Sequence, residues 1–241
     1  MFFLVCCGEE WVVSGANRVI GRGSGTRVRW RAAMGKVKVK TVLLGDSGVG
    51  KTSIAVRLAR DVFNDRAQPT VGAAFFTFVV ENGEDSIQFE MWDTAGQERY
   101  RSLAPMYYRG AEVVVLVFAL SDKQSFEAGE RWLQDVRQSG LGPTCTLVLV
   151  GNKADLEDER QVSTEDAEAF AAEQGMMYIE TSAKTAHNVK EIMQNVAERL
   201  PEGAGVREED AQAKRAAARR DGRGGTVAVD NSSDAKGGGC C

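Results

Sequence analysis

Residues 45–52 read G-D-S-G-V-G-K-T, a spacing of glycines, lysine and threonine that is typical of phosphate-binding loops. They follow an apolar stretch, residues 39–44, and precede a segment with helical spacing, so we expect a strand, a loop and a helix in that order. Glycine-rich backbone here can point its N–H groups at phosphate oxygens beside a helix N-terminus. Lys51 can reach the β- and γ-phosphates of a nucleotide, and the Thr52 hydroxyl suits Mg²⁺. Taken alone, the motif leaves a glycine-rich surface turn as an alternative.

Three more motifs follow the ends of predicted strands. Residues 92–98 read W-D-T-A-G-Q-E, residues 152–155 read N-K-A-D, and residues 180–184 read E-T-S-A-K. Open α/β sheets bind ligands at the carboxyl ends of their strands, so these motifs should meet the phosphate-binding loop. In this order, the four motifs resemble those of the Ras-like small GTPases, and the resemblance runs from about residue 38 to residue 200.

The elements between the motifs predict how these residues are positioned. Apolar strand-like and helix-like segments alternate through the region, and the Asn-Gly pair at residues 82–83 indicates a hairpin. The prediction is an α/β P-loop NTPase fold: a doubly wound, mostly parallel six-stranded sheet with one antiparallel edge strand and flanking helices. Residues 112–120, 146–150 and 177–180 are apolar enough to be strands buried on both faces.

Composition divides the chain into three parts. We expect a disordered extension at residues 1–37, a small GTPase domain at residues 38–200, and a flexible hypervariable tail at residues 201–241. Translation that begins at Met34 is an alternative to a real basic N-terminal arm. The net charge of −4 gives no reason to expect nucleic-acid binding, and no apolar run approaches transmembrane length. The five cysteines show no disulfide or zinc spacing, which favours a reducing compartment.

Base recognition is predicted to depend on Asp155. A carboxylate can accept the two adjacent N–H donors of guanine, whereas adenine would leave it partly unpaired. The resemblance implies that Asn152 braces the phosphate-binding loop, that Lys153 and Phe63 flank the nucleotide, and that the Ala183 N–H binds guanine O6. The complete set that we expect to contact GTP or GDP is Ser47, Gly48, Val49, Gly50, Lys51, Thr52, Ser53, Phe63, Thr70, Gly96, Asn152, Lys153, Asp155, Ser182, Ala183 and Lys184.

Mg²⁺ and hydrolysis involve a smaller set of residues. The resemblance implies that Thr52 is a direct Mg²⁺ ligand, that Asp93 acts through water, and that Thr70 is a ligand only when a γ-phosphate is present. Gln97 is expected to orient the attacking water as the catalytic residue; Ras-type enzymes are the general template for this step. No arginine is evidently placed to stabilise the transition state in cis. Turnover should therefore be slow and depend on an activating protein.

The C-terminus and several body segments narrow the resemblance to the Rab family. Cys240 and Cys241 end the chain after three glycines, as in Rab proteins that carry two geranylgeranyl groups. Unmodified thiols are the alternative. Phe75, Trp92 and Tyr107 occupy the places of the Rab effector-contact aromatics, although core packing could also explain them. Residues 72–76 and 99–111 resemble the early-endosomal Rab subgroup.

The Rab resemblance implies a set of partners and a location. It predicts a monomer that works with an exchange factor, an activating protein, a GDP dissociation inhibitor, prenylation escort machinery and effectors. Prenylated protein would lie on the cytoplasmic face of early endosomes, with a GDP-bound cytosolic pool. A nucleotide-locked GTP-binding scaffold with negligible turnover, or a Rab of another compartment, stays as the alternative.

Overall fold

The computed structural model describes residues 36–82, 85–97, 104–139, 141, 145–201, 203–207 and 210, together with the backbone of four residue pairs near the N-terminus. These pairs form two antiparallel ladders, Val5–Cys6 with Glu9–Glu10 and Val13–Ser14 with Arg18–Val19. They belong to a separate unit, Met1–Ala33, whereas the rest of the chain forms the second unit. The predicted disorder of the extension lies mostly outside the described residues.

The second unit is built on one sheet with six main strands. Their bounds are β1 Lys36–Leu44, β2 Ala73–Asn82, β3 Asp85–Thr94, β4 Val113–Ala119, β5 Thr146–Asn152 and β6 Met177–Glu180. They lie in the order β6-β5-β4-β1-β3-β2. All neighbouring pairs in this order are parallel except β2 with β3, which form the predicted hairpin at the edge of the sheet. The predicted fold class and its six strands are therefore confirmed.

Helices cover both faces of the sheet. They are α1 Lys51–Arg60, α2 Ala104–Tyr108, α3 Lys123–Gln138, α4 Thr164–Glu173 and α5 Val189–Arg199, with a 3₁₀ turn at Glu157–Glu159.

Successive residues of a strand point to opposite faces, and β1 follows this rule. Val39 and Leu43 pack in the core cluster of α1 and α5. Val42 and Leu44 pack in the cluster of α3 and α4 on the other face. Two apolar layers around one sheet give the doubly wound architecture.

Burial distinguishes the central strand from the edge strand. All seven residues of β4 are buried, as expected for a strand covered by helices on both faces. The expectation of full burial was wrong for β6, where all four residues are half-buried. Among the described strands, β6 pairs only with β5 and lies at the end of the sheet. Its apolar composition is that of a central strand, so the sequence pattern could not reveal its position.

A seventh, two-residue strand, β7 (Val206–Arg207), joins the sheet antiparallel to β1. The residue before it, Gly205, has a φ of +81°, and a Cβ there would lie 2.5 Å from a methyl group of Val37. The Gly205 N–H donates to Glu112 Oε1 at 3.0 Å. The described chain thus continues past residue 200, where we expected the tail to begin. Most of that predicted tail, including residues 211–241, lies outside the described residues.

Candidate nucleotide site

The loop between β1 and α1 has the backbone geometry of a phosphate cradle. Gly45 has a φ of +139°, and a Cβ at this position would overlap the Val117 carbonyl oxygen. Gly50 has a φ of +100°, and a Cβ there would overlap the side-chain amide of Asn152. Gly50 also begins α1 without a side-chain cap. The N-terminal N–H groups of such a helix favour an anion.

The side chain of Lys51 is held in place by backbone carbonyl groups of the same loop. The Lys51 ammonium donates to the carbonyl oxygens of Gly45 at 2.8 Å and Asp46 at 2.7 Å. Burial lowers the pKa of Lys51 to about 8, against the opposing effect of the nearby Asp93 and Asp46 charges. A Cβ at Gly96 would lie 2.5 Å from Lys51 Nζ, so only glycine lets the end of β3 approach the amine this closely.

A cleft of about 260 Å³ opens beside this loop. One side is formed by the phosphate-binding loop and the start of α1, and the other by residues 63–70, with Thr94 and Gly96 also contributing. Phe63 lies in the cleft wall and packs against the core cluster of α1 and α5. The cleft therefore brings together Ser47, Gly48, Gly50, Lys51, Thr52, Ser53, Phe63, Thr70 and Gly96 of the expected nucleotide contacts.

The three residues predicted to act at Mg²⁺ converge at this cleft. Thr52 Oγ1 lies 2.6 Å from both Asp93 Oδ2 and Thr70 Oγ1, and the Thr70 hydroxyl lies 3.4 Å from the same carboxylate oxygen. Burial raises the pKa of Asp93 against the opposing Thr52 hydrogen bond and Lys51 charge. Asp93 Oδ1 is buried without a hydrogen-bond partner among the described residues. Hard oxygen donors and an unsatisfied carboxylate oxygen fit Mg²⁺.

Asn152 joins the phosphate-binding loop to residues 181–184, the predicted base-recognition loop. Its buried amide donates to the Val49 carbonyl at 2.8 Å. Its Oδ1 accepts from the Ala183 N–H at 3.1 Å and from the Thr181 hydroxyl at 3.3 Å. The Ala183 N–H, expected at guanine O6, thus already has a partner within the protein. It would have to share its hydrogen with the base or exchange partners.

Asp155 is oriented by the following motif. Its Oδ1 accepts from the Ser182 hydroxyl at 2.6 Å, and Ser182 Oγ in turn accepts from the Thr185 N–H at 3.1 Å. Lys153, between Asn152 and Asp155 in the motif, has a left-handed backbone with a φ of 68°. Lys184 is exposed. The hydrogen bonds of Ser182 thus hold the Asp155 carboxylate beside the predicted base-recognition loop.

Two positively charged residues that the motifs did not predict support this loop. Arg57 of α1 donates to the carbonyl oxygens of Ala183 and Lys184, both at 3.0 Å. Arg160 makes two hydrogen bonds, of 2.9 and 2.7 Å, to the carboxylate of Glu180 at the end of β6. Both partners lie far from the arginine in sequence and no periodic pattern connects them. A single sequence therefore carries no signal by which these contacts could have been found.

Glu180 is the centre of a hydrogen-bond network. Besides Arg160, the hydroxyls of Thr164 and Tyr178 donate to Glu180 Oε1 at 2.8 and 2.9 Å. Hydrogen bonding from Arg160 is the main cause that lowers the pKa of Glu180 to about 2, and the two hydroxyls add to it. Burial and this neighbouring carboxylate raise the pKa of Tyr178. The network fixes β6 immediately before residues 181–184.

Gln97 does not line the cleft. It is half-buried and lines a neighbouring, more open cavity of about 590 Å³ with Asp46, Ser47, Gly96 and the start of α3. Residues 98–103, which follow it, lie outside the described residues. The catalytic role of Gln97 stays a prediction. Gln97 directly follows Gly96, the residue that lies against the Lys51 ammonium.

The three predicted effector-contact aromatics lie in one row. The rings of Phe75 and Trp92 are 5.3 Å apart, and those of Trp92 and Tyr107 are 5.8 Å apart. Phe75 is 50% exposed, and Val71 and Met106 are also exposed. Cys240 and Cys241 lie outside the described residues. Within the part of the chain that is described, no helix is long and apolar enough to cross a membrane.

Comparisons with known proteins match the region that carries the cleft. The family model described as the Ras family matches residues 40–202. Ras-related protein RABF2b of Arabidopsis thaliana is 48% identical over 165 residues, 68% of this chain and 82% of that protein. Ras-related protein Rab5 of Nicotiana tabacum is 46% identical with the same shares. Ras-related protein Rab-5A of Dictyostelium discoideum is 44% identical over 162 residues, 67% of this chain and 80% of that protein.

Proposed function

The chain belongs to the Ras family and, within it, to the Rab small GTPases, and we propose that it is a GTP-hydrolysing switch of early endosomal vesicle traffic. The observation that carries this proposal is the meeting of Thr70 with Thr52 and Asp93. Thr70 belongs to the loop that lines one side of the cleft, whereas Thr52 lies in α1 and Asp93 in β3. A loop that reaches this site through one hydroxyl can respond to what the site contains.

Thr52, Asp93 and Thr70 would hold Mg²⁺, which when bound neutralises charge on the phosphate oxygens. Lys51 binds the β- and γ-phosphates through its ammonium, which has three N–H donors and uses two of them for the Gly45 and Asp46 carbonyls. Thr70 would be a Mg²⁺ ligand only while the γ-phosphate is present, and loss of the γ-phosphate would release residues 63–70. Because Phe75 follows this loop directly in β2, the change reaches the aromatic row that effectors contact.

The guanine base lies between Phe63 and the stem of Lys153. The N1–H and N2–H groups of the base donate hydrogen bonds to the Asp155 carboxylate. Ser182 fixes the carboxylate in one orientation by its 2.6 Å hydrogen bond. Asn152 links this base-recognition loop to the phosphate-binding loop, so one buried amide holds together the two loops that bind the nucleotide. A preorganised pair of acceptors selects guanine because adenine would leave the carboxylate unpaired.

Gln97 orients the attacking water, and an activating protein supplies the positive charge that stabilises the transition state. Intrinsic turnover is therefore slow. The position of Gln97 in the cavity beside the cleft, shared with Asp46 and Ser47, supports a movement of this side chain toward the phosphates during hydrolysis.

The tail determines where the switch acts. Two prenyl groups on Cys240 and Cys241 give stable membrane attachment, whereas one lipid chain attaches a protein only marginally. A prenylation escort delivers the protein to the cytoplasmic face of early endosomes, and a GDP dissociation inhibitor maintains a cytosolic pool of the monomer. An exchange factor loads GTP, and effectors bind the row of Phe75, Trp92 and Tyr107.

Replacement of Gln97 tests the hydrolytic part of this function. The Gln97→Leu variant should bind GTP normally but hydrolyse it at least 100-fold more slowly when the activating protein is present. Gln124→Leu is a matched control because Gln124 lines the same cavity and is exposed. Single-turnover phosphate release measures both variants. Hydrolysis at the wild-type rate in Gln97→Leu would contradict the assignment, and negligible hydrolysis in the wild type would favour a nucleotide-locked scaffold.

Changing both terminal cysteines to serine tests the membrane part. The double variant should keep its nucleotide binding and appear only in the soluble fraction of cells. Mass spectrometry of the C-terminal peptide should find two prenyl groups on the wild type. Unmodified cysteines on membrane-bound wild type would refute the lipid anchor.

A further inference from the structure

A hydrogen bond joins helix α3 to the phosphate-binding loop. The Trp132 indole Nε1–H donates to Asp46 Oδ1 at 2.9 Å, although the two residues are 86 positions apart in the chain. Trp132 is 4% exposed and packs in the core cluster of α3 and α4. A tryptophan that is buried to this degree directs its N–H with little freedom to move. The donor is therefore fixed by the helix rather than by the loop.

Asp46 connects this hydrogen bond to two groups at the reaction site. Its carbonyl oxygen accepts from the Lys51 ammonium at 2.7 Å. A Cβ at Gly96 would lie 2.5 Å from the same carbonyl oxygen, so the residue before Gln97 packs directly on Asp46. The backbone position of Asp46 thus sets where Lys51 and Gly96 lie. Helix α3 holds that backbone in place through the Asp46 side chain, which accepts the hydrogen bond from Trp132.

Asp46 also poses an electrostatic problem. It is the one acidic residue among residues 45–52, a segment whose purpose is to bind anionic phosphates. A free carboxylate here could turn toward the Lys51 ammonium and compete with the phosphate oxygens for it. The indole N–H is a donor without charge, and it holds the carboxylate against α3 without adding a second cation to the loop.

We propose that Trp132 is a positioning residue of the phosphate site, which holds the Asp46 carboxylate away from Lys51 and thereby keeps the ammonium available to the nucleotide. The residue acts through Asp46 and does not itself touch the nucleotide. This role rests on the proposed nucleotide binding at the cleft. Trp132 would thus stabilise one conformation of the phosphate-binding loop. None of the sequence motifs predicts this role.

Trp132→Phe tests the role because phenylalanine keeps most of the ring packing and removes only the donor. With a fluorescent GDP analogue and Mg²⁺, nucleotide release from Trp132→Phe should be roughly tenfold faster than from the wild type, as for loss of a hydrogen bond to a charged group. In the Asp46→Asn background, Trp132→Phe should change release less than twofold, because the amide carries no charge that could compete for Lys51.

The second background separates positioning from mere packing. If Trp132 only fills space between α3 and the sheet, its replacement will accelerate release equally in the wild-type and Asp46→Asn backgrounds, and the proposal is overturned. Phe126→Leu is the matched control: this residue of α3 packs on Phe118 and Phe170, with ring centroids 4.9 and 5.4 Å away. It should leave release unchanged.

A spectroscopic measurement keeps the test valid even if Trp132→Phe folds poorly. In ¹⁵N-labelled GDP-bound protein, one indole N–H signal should shift in Asp46→Asn while the remaining tryptophan signals stay in place. Four unmoved indole signals, from the four tryptophans of the chain, would refute the hydrogen bond. Failure of the wild type to bind any guanine nucleotide would instead refute the proposed function, so the two outcomes are distinguishable.

Discussion

The Glu180 network should contribute a large, pH-dependent part of the stability of this protein. The Glu180→Gln change removes the charge that Arg160 contacts with two hydrogen bonds, while the amide keeps the size of the side chain. Because the carboxylate is only 19% exposed, solvent screens this pair little. The difference between the ordinary pKa of 4.5 and about 2 corresponds to roughly 3 kcal/mol as an upper limit.

The pH dependence follows from the direction of the shift. The folded-state pKa of Glu180 lies below that of the unfolded chain, so its contribution is complete above about pH 5 and is lost as the pH falls from 4.5 toward 2. At pH 4 the wild type should already have lost about 0.8 kcal/mol relative to Glu180→Gln. At pH 7 the variant should be less stable by the full amount, up to roughly 3 kcal/mol.

Urea denaturation at pH 7, 5 and 4, with saturating GDP and Mg²⁺, measures the difference in the free energy of unfolding. Glu198→Gln is the control, because Glu198 is an exposed residue of α5 and its replacement should cost less than about 0.5 kcal/mol. A difference below about 0.5 kcal/mol for Glu180→Gln at pH 7, or one that does not shrink at pH 4, would refute the ionic explanation of the network.

Three further predictions concern other contacts. Gly205→Val should detach β7 from β1, because a Cβ there lies 2.5 Å from a Val37 methyl group, and hydrogen exchange of the β7 amides should accelerate at least tenfold; unchanged protection would contradict the docking. Arg57→Met should speed nucleotide release several-fold, because the Ala183 and Lys184 carbonyls lose their hydrogen bonds to Arg57. Release is measured with a fluorescent GDP analogue, and a wild-type rate would show that these two hydrogen bonds are dispensable. Burial, with a smaller effect of Glu112, raises the pKa of Cys145 to about 11, so roughly 0.1% is thiolate at pH 8; peptide mass spectrometry should find Cys145 alkylated only after unfolding, and rapid labelling of the native protein would be the contrary result.

The sequence was sufficient to predict the sheet and the loops that form the cleft. Strand β6 was predicted at residues 177–180 and is observed at Met177–Glu180, because a short apolar run between a helix and a motif leaves little choice. The motifs at residues 45–52 and 152–155 were predictable for a different reason. Their glycines and polar side chains make close contacts that few other residues permit. At Gly50, for example, a Cβ would overlap the side-chain amide of Asn152.

The contacts that support the site were not predictable in the same way. Arg57, Arg160 and Trp132 each reach a partner from another element, and the single sequence gives no period or spacing that connects them. Packing decides which of many charged side chains meet. The docking of Gly205 beside Val37 was missed for a related reason, since a glycine in a polar tail has the composition of a linker until a strand edge pairs with it.

Exchange of the base specificity is the most direct test that this protein selects guanine nucleotides. The Asp155 carboxylate accepts a hydrogen bond from the Ser182 hydroxyl at 2.6 Å, and we propose that it accepts both guanine donors. Asp155→Asn should weaken GTP binding by at least 100-fold, because the amide offers a donor where guanine requires an acceptor, and should strengthen binding of xanthosine triphosphate. Titration of the nucleotide-free variant with both nucleotides measures this, with the wild type in parallel. We expect the variant to prefer xanthosine triphosphate over GTP; an unchanged GTP affinity in Asp155→Asn would contradict the role of Asp155 in base recognition.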